Sequence, residues 1–343
     1  MRSRFSDNRN QQVIKRPTSK DVAKLAGVSR ATVSAYINDT RYVSPELSNK
    51  IQNAINEMNY TPNELARSLK MQDTKTIGLI IPVLSYFFMP MLNSINEIAH
   101  EQDYSFLLCS SEEDPKREKK MLEIFLSKQI SGILVVPSSE ANRKFMNQIK
   151  ENGTPIVQVN RKIIGLETDF VVSKNFNAIY TAAEYLLKKG RKKIVLLGYN
   201  PNSFGEHEKK EGYEAAIRDY KVDSYIINIK GHDPFTISES LNKFFLSDEK
   251  VDGIICTSQM RTTVALQFLK DRSIKIPRDI SFIGYDDTTL SVLFNPPLTV
   301  ISENASEMGQ KAATILLDRI KKKNIGGIKS IFLDVNFIIR ESC

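Results

Sequence analysis

From Thr76 onward the chain alternates short apolar runs with amphipathic stretches, and no other feature constrains its fold as strongly. The runs TIGLIIPV, SFLLCS, GILVVP and PIVQV are separated by patterns that predict helices around residues 91–102, 121–128 and 143–151. A second series repeats the arrangement: a predicted helix at 178–189, KKIVLLG, a helix at 208–219, YIINI, a helix at 238–245, DGIICT, a helix at 263–271, and ISFIGYDD. Strands that alternate with helices pair in parallel, because each crossover helix must return the chain to the same end of the sheet. Two comparable series, nine or ten strands in all, predict two doubly wound parallel α/β subdomains with a cleft between them. Ligands of such sheets sit outside the carboxyl ends of the strands, so the loops after those strands are the place to look for chemistry.

The first quarter of the chain reads differently. Residues 1–17 lack periodicity, are rich in Arg, Asn and Gln, and end in a proline, as a flexible basic arm would. Three short helices follow. Thr18 is an N-cap with Asp21 three residues on, and Val22, Leu25 and Ala26 form an apolar face that stops at Gly27. Ser29 caps a second helix, residues 30–38, with Val33 and Ile37 facing inward. Ser44-Pro45 opens a third, whose Leu47, Ile51, Ala54, Ile55 and Met58 recur at helical intervals. After Tyr60, Thr61-Pro62-Asn63-Glu64 combines a capping box with proline at the first helical position, predicting a helix over residues 62–70. A helix that short is marginal alone in water, so it forms only when something holds it.

Charge follows the same division. The chain has 343 residues and a formal net charge of +8. Residues 1–72 hold 12 Lys and Arg against 6 Asp and Glu, and the remaining 271 residues hold 36 against 34. A basic head on a near-neutral body fits a polyanion-binding element, and equally a solvated basic tail. There is no apolar run long enough to span a membrane and no apolar leader near Met1, which points to the cytoplasm. Three cysteines without C-x-x-C spacing and three histidines outside any H-E-x-x-H pattern disfavour a disulfide framework or a zinc site. G-x-G-x-x-G, G-x-x-x-x-G-K-[ST] and G-x-S-x-G are all missing, and the adjacent Asp286 and Asp287 would point apart on one turn, so an enzyme finds little support. No cofactor or metal is expected.

Two short helices joined by the tight turn Ala26-Gly27-Val28-Ser29 form a helix-turn-helix, whose second helix presents its N-terminal residues to base edges in the major groove. Arg30 can pair with guanine O6 and N7, Ala31 or Ala35 can meet a thymine methyl, and Thr32 or Ser34 can bond a phosphate or base.

These residues bring a resemblance into view. The stretch TSKDVAKLAGVSRATVSAYINDTRYVSPELSNKIQNAINEMNYTPNELARSLK, followed by TKTIGLIIP, resembles the head and linker of the lactose/galactose repressor (LacI/GalR) family of bacterial transcription regulators. The likeness runs on through GILVVP, Gly284-Tyr285-Asp286-Asp287 and Pro297-Leu298-Thr299, and so covers residues from about 18 to the C-terminus. It implies an arm at 1–17, a DNA-binding domain at 18–61, a hinge helix and linker at 62–75, and an effector-binding and dimerisation domain at 76–343 that is similar to periplasmic binding proteins. The N-subdomain is then about 76–173 and 304–330, and the C-subdomain about 174–303 and 331–343.

The resemblance also implies a homodimer on a palindromic operator, with paired hinge helices in the minor groove and Leu69, flanked by Arg67 and Lys70, wedged into the central base step. Arg41 falls where the purine-repressor branch contacts DNA. The implied DNA-facing set is Thr18, Ser29, Arg30, Ala31, Thr32, Ser34, Ala35, Asn38, Arg41, Tyr60, Asn63, Arg67, Ser68, Leu69 and Lys70. Many members place a bulky polar reader at the position of Ala35, which implies a variant operator here or greater reliance on Arg30 and Arg41. Arg2, Arg4, Arg9, Lys15 and Arg16 precede the resemblance and either add non-specific attraction or nothing.

In the body the resemblance places a small-molecule effector between the subdomains, a sugar, sugar phosphate or sugar acid. The implied contacts are Asn160, Arg161, Asn175, Lys209, Gln259 and Asp286, with Tyr86, Phe87 and Phe88 either a stacking wall or core. Asp286 stands where sugar-binding members accept hydroxyl hydrogen bonds. Asn160 replaces an acid, and Ser258-Gln259 replaces the family's usual Asn-Asp, so cations kept beside a missing acid leave an anionic effector open. A solute-binding protein without regulatory role, or a regulator answering to a protein corepressor, is the alternative. A chain ending at Cys343 without a leucine heptad implies a dimer rather than a tetramer. Effector binding would alter the subdomain angle and so the hinge helices, with the sign of the response left open.

Overall fold

The computed structural model describes residues 17–61, 74–198, 204–229, 233–246, 250–322 and 326–343. The expected hinge helix, with Asn63, Arg67, Ser68, Leu69 and Lys70, and the arginines and lysine of the arm lie outside the described residues. The chain divides into two compact units, Met1–Thr74 and Lys75–Cys343.

Among the described residues the first unit contains three helices, α1 (Ser19–Ala26), α2 (Arg30–Asn38) and α3 (Pro45–Glu57). Their ends follow the sequence chemistry. Thr18 donates through both its backbone N–H (2.8 Å) and its hydroxyl (2.6 Å) to Asp21, Ser29 Oγ accepts from Thr32 N at 3.0 Å, and Gly27 turns the chain with φ 68°. Val22, Ala23, Ala26, Val33, Ile51 and Ala54 form the core, with Ile37, Ile55 and Met58 packed on it. Leu25 is 46% exposed and does not belong to it. At about 100° per residue Leu25 and Ala23 flank the Val22–Ala26 row on opposite sides, and it is the Ala23 side that is packed into the core.

The second unit contains two six-stranded sheets. The first orders its strands β11-β5-β4-β3-β1-β2, comprising β1 (Thr76–Ile81), β2 (Ser105–Ser110), β3 (Gly132–Val135), β4 (Ile156–Val159), β5 (Asp169–Ser173) and β11 (Ser330–Leu333). The second orders β12-β10-β9-β8-β6-β7, comprising β6 (Ile194–Leu197), β7 (Tyr225–Ile227), β8 (Gly253–Cys256), β9 (Ser281–Tyr285), β10 (Thr299–Glu303) and β12 (Val335–Ile338). All pairings are parallel except that of β10 with β12, where Val300 faces Ile338 and Glu303 faces Val335. Strands buried on both faces need apolar residues at successive positions, as in the IVLL of β6 and the GILV of β3.

Helices cover both sheets. Phe88–His100 and Ala305–Ile320 pack on the first, and Asn175–Lys188 and Phe204–Tyr220 on the second. Each pair crosses at a glycine: a Cβ on Gly309 would lie 2.6 Å from Met91 O, and one on Gly212 would lie 2.2 Å from Phe176 O. Six of the seven helices expected in the body begin three to six residues earlier than the apolar periodicity predicts, for instance at Pro115, Pro234 and Gln259, and the seventh begins at Arg143 as expected.

The chain passes between the subdomains three times, at Lys174, Asn304 and Asp334. The third passage corrects the expected boundary at 331. Strand β11 stays in the first sheet through Leu333, paired with Ser173, because SIFL and VNFI are two strands separated by one residue. Lys174 and Asp334 tie two passages together through a 2.7 Å ion pair, and Lys174 N donates to Leu333 O at 2.9 Å.

Candidate functional site: an effector cleft and a DNA-facing head

On the head, Arg30, Ala31, Ser34 and Arg41 are exposed. Three of the expected DNA-facing polar residues have structural tasks as well. Thr18 and Ser29 cap helices, and Asn38 Nδ2 donates to Ser34 O at 2.8 Å, closing the end of α2. Thr32 Oγ1 lies 2.8 Å from Ser29 Oγ, which sets its rotamer at the start of the recognition helix. Tyr60 is half-buried against the head core. Ala35 requires a correction: it is 3% exposed, so its short methyl does not emerge past the groups around it to meet a thymine.

In the second unit the carboxyl ends of both sheets converge on a cavity of about 300 Å³. Each strand end delivers its share. The loop after β1 brings Leu84, Phe87 and Phe88, that after β2 brings Glu113, and β4 ends in Asn160 and Arg161. From the other side come Glu206 and Lys209 on the helix after β6, Thr257 to Arg261 after β8, Tyr285 and Asp286 at the end of β9, and Glu303 at the end of β10. Of the effector contacts expected from the sequence, Phe87, Phe88, Asn160, Arg161, Asn175, Lys209, Gln259 and Asp286 line this cavity together. Tyr86 does not; it is 79% exposed, because the loop turns its side chain away from the cleft. Phe88 is both wall and core, buried in the first subdomain and set edge-on to Phe87 at 5.0 Å.

The cations expected to await an anion are already matched. Arg161 forms a two-point pair with Glu113, both contacts 2.8 Å. Burial draws the Arg161 pKa down, and Glu113 more than restores it. Lys209 Nζ donates to Thr257 O at 2.9 Å, sits 3.6 Å from Glu206 and 3.8 Å from Glu303, and lies 3.9 Å from the centre of the Tyr285 ring. Arg261 is only 1% exposed; its Nη1 reaches Thr257 Oγ1 at 2.6 Å and Glu206 Oε2 at 3.1 Å. Burial pushes Glu206 up, but Arg261 and Lys209 hold its carboxyl below the usual range.

Glu303 joins the two subdomains at the cleft floor. It accepts from Asn160 Nδ2 (3.1 Å), Ser173 Oγ (2.7 Å) and Tyr285 OH (2.6 Å). Asp286 sits beside this network with φ 66°, its backbone N–H bonded to Ile301 O at 2.7 Å. Burial, and then the charge of Glu303, push its carboxyl up to about 8, with Lys209 opposing. Asp287 turns away and pairs with Arg340 at 2.8 Å. The acids that sequence reasoning missed are therefore Glu113, Glu206 and Glu303. Glu206 precedes Lys209 by three residues on the helix Phe204–Tyr220, but the expected helix at 208–219 begins too late to include it. Among the described residues no group of three or more His, Cys, Asp or Glu side chains forms a metal cage, and no helix is long and apolar enough to cross a membrane.

A helix-turn-helix unit joined to a hinged pair of doubly wound subdomains around a polar cavity defines a ligand-responsive DNA-binding protein. Comparison with known proteins narrows the class. A family model described as bacterial regulatory proteins of the lacI family matches residues 18–63, and one described as periplasmic binding proteins and sugar binding domain of LacI family matches residues 74–341. The HTH-type transcriptional repressor PurR of Haemophilus influenzae (strain PittEE) is 32% identical over 331 residues, covering 95% of this chain and 98% of that protein. Among solved structures, the lac repressor dimer bound to operator and the anti-inducer ONPF superposes with a TM-score of 0.85 at 20% identity over 96% of this chain and 99% of that one. The transcriptional regulator CelR in its cellobiose complex superposes with a TM-score of 0.69 at 23% identity over 96% and 100%. These two share the fold. The chain belongs to the LacI family and is a DNA-binding transcriptional repressor homologous to PurR.

Proposed function

We propose that this repressor is a cytoplasmic, non-enzymatic regulator of a carbohydrate-utilisation operon that binds a palindromic operator as a homodimer and answers to a sugar or sugar-derived effector in the cleft. The observation that carries the effector reading is the cavity itself, in which an unengaged Asp286 carboxylate and the Gln259 side chain lie within reach of the aromatic wall of Phe87 and Phe88. Its volume stands at the lower end of the roughly 300–1,000 Å³ typical of ligand pockets, which suits a molecule of sugar size. The cellobiose complex of CelR adds support from the same fold. Arg161, Lys209 and Arg261 are all paired, so none of these three cations stands ready for a sugar phosphate or sugar acid.

The effector changes the subdomain angle, and through it the spacing of hinge helices too short to form unaided. Leu69 is the wedge at the operator centre, and Arg30, Arg41, Arg67 and Lys70 supply base and phosphate contacts. The test is fluorescence anisotropy on operator DNA selected from a random pool by the purified protein, with and without a panel of mono- and disaccharides. At least one sugar should move the operator Kd by about tenfold, within the usual 1–3 kcal/mol of allosteric coupling. Asp286→Ala should abolish that shift, and Leu69→Ala should weaken selected DNA while sparing random DNA. A Kd that no sugar moves sinks the effector assignment.

A further inference from the structure

The cavity has one acid more than it has cations to match. Four carboxyl groups line it, Glu113, Glu206, Asp286 and Glu303, against three cations, Arg161, Lys209 and Arg261. Glu113 is closed by Arg161, and Glu206 by Arg261 with Lys209 beside it. Glu303 has Lys209 and three hydrogen-bond donors. Asp286 has neither an ion pair nor a hydrogen bond to its carboxylate among the described residues, although it is largely withdrawn from solvent and faces the cavity. The groups that face it are Glu303, Lys209 and, beyond them, Tyr285 and Glu206. Lys209, the nearest cation, is held elsewhere by Thr257 O, Glu206, Glu303 and the Tyr285 ring. The unpartnered Nε and Nη2 of Arg261 offer no relief: both are enclosed, and a Cβ on Gly198 would lie 2.2 Å from Nε.

We infer that the effector brings the missing cation: it is a hydroxylated molecule of sugar size bearing a protonated amine, as an amino sugar does, and Asp286 is the counter-ion of that amine. The inference rests on reading the cleft as the effector site. A neutral hydroxyl bonds Asp286 but brings no positive charge to set against Glu303, so the acid stays biased towards its protonated form, and an anionic effector would add a further negative charge. An ammonium donates hydrogen bonds and also pairs the ionised carboxylate in a site where water does not screen it. The direction of the Asp286 titration agrees, since a carboxyl pushed up by burial and by Glu303 is one that lacks a cation. Without a facing cation Asp286 is biased towards its protonated form, so the arriving amine displaces that proton: the carboxylic acid and the ammonium become a carboxylate–ammonium pair and up to one proton leaves to the buffer.

The experiment is isothermal titration of the full-length protein at pH 7, in two buffers of different ionisation heat, with glucosamine, galactosamine and mannosamine, their neutral parent sugars, and glucuronate, galacturonate and mannuronate. Putrescine and cadaverine serve as amines without a sugar. One amino sugar should bind about tenfold tighter than its parent and release up to one proton. Asp286→Asn, whose side chain also accepts the left-handed backbone at this position, should bring that ratio to about one and end the proton release. A neutral or acidic sugar that binds as tightly as its amine overturns the amine while leaving the sugar reading in place. Binding of a diamine but of no sugar removes the sugar and keeps the cation, and silence from every ligand removes both.

Discussion

The two sheets of the second unit share one strand order, yet they equip the cleft unequally. The first subdomain contributes an aromatic wall, Phe87 and Phe88, and a single closed ion pair, Arg161–Glu113. The second contributes Glu206, Lys209, Arg261, Tyr285, Asp286 and Glu303, whose charges depend on one another. A shared strand order therefore does not produce equivalent faces; what differs most at the cavity is which side chains stand at the strand ends. One half gathers most of the charged groups at the cavity and the other most of its aromatic surface.

If that asymmetry is real, removing one cation from each half should have unequal consequences. Lys209→Met strands Glu303 and leaves Glu206 with Arg261 alone in a largely buried network, and should cost about 3–5 kcal/mol of unfolding free energy. Arg161→Met strands one part-exposed acid, Glu113, and should cost about 1–2 kcal/mol. Urea denaturation checks both, and equal losses would end the contrast. A smaller effect concerns pH. The folded pKa of Asp286, about 8, lies above its unfolded value, so the folded state binds the extra proton and stability falls as pH rises from about 4 to about 8. Asp286→Asn should flatten that decline, gaining about 1–2 kcal/mol, a few degrees in Tm, at pH 8 relative to pH 4. An unchanged slope would mean that Lys209 offsets Glu303 fully. The smallest effect belongs to the first subdomain: Tyr86→Ala should alter stability by less than about 0.5 kcal/mol and leave effector affinity unmoved, since Tyr86 stands outside the cleft.

The division between what the sequence reveals and what it hides follows the range of the interactions. The helix-turn-helix was legible because caps at Thr18, Ser29 and Ser44 and the turn at Gly27 act within a few residues. Parallel sheets were legible because alternation repeats along the whole body. The strands DFVVS, TVISE and SIFL escaped because each is short and amphipathic patterns flank them unevenly, and with SIFL went the third passage between subdomains. Helix starts were placed late because apolar spacing begins only after the cap, although Asp114-Pro115 and Asp233-Pro234 mark those starts. Eight of the nine expected effector residues meet at the cavity, yet their partners were invisible. Glu303 bonds Asn160 across 143 positions and Arg261 reaches Glu206 across 55, so no local pattern announces either pair. The apparent loss of an acid at Ser258-Gln259 misled for the same reason: carboxylates arrive from other elements.

The passages at Lys174, Asn304 and Asp334 have a consequence for anyone who would dissect this protein. Neither half of the body is one continuous stretch of sequence, so no single truncation or protease nick can free one half with its sheet complete. A gene fragment ending near residue 173 would lack the helix Ala305–Ile320 and the edge strand β11 that close its sheet. The body is inherited, expressed and lost as a whole, and the half that holds the coupled charges cannot be studied apart from the half that holds the aromatic wall.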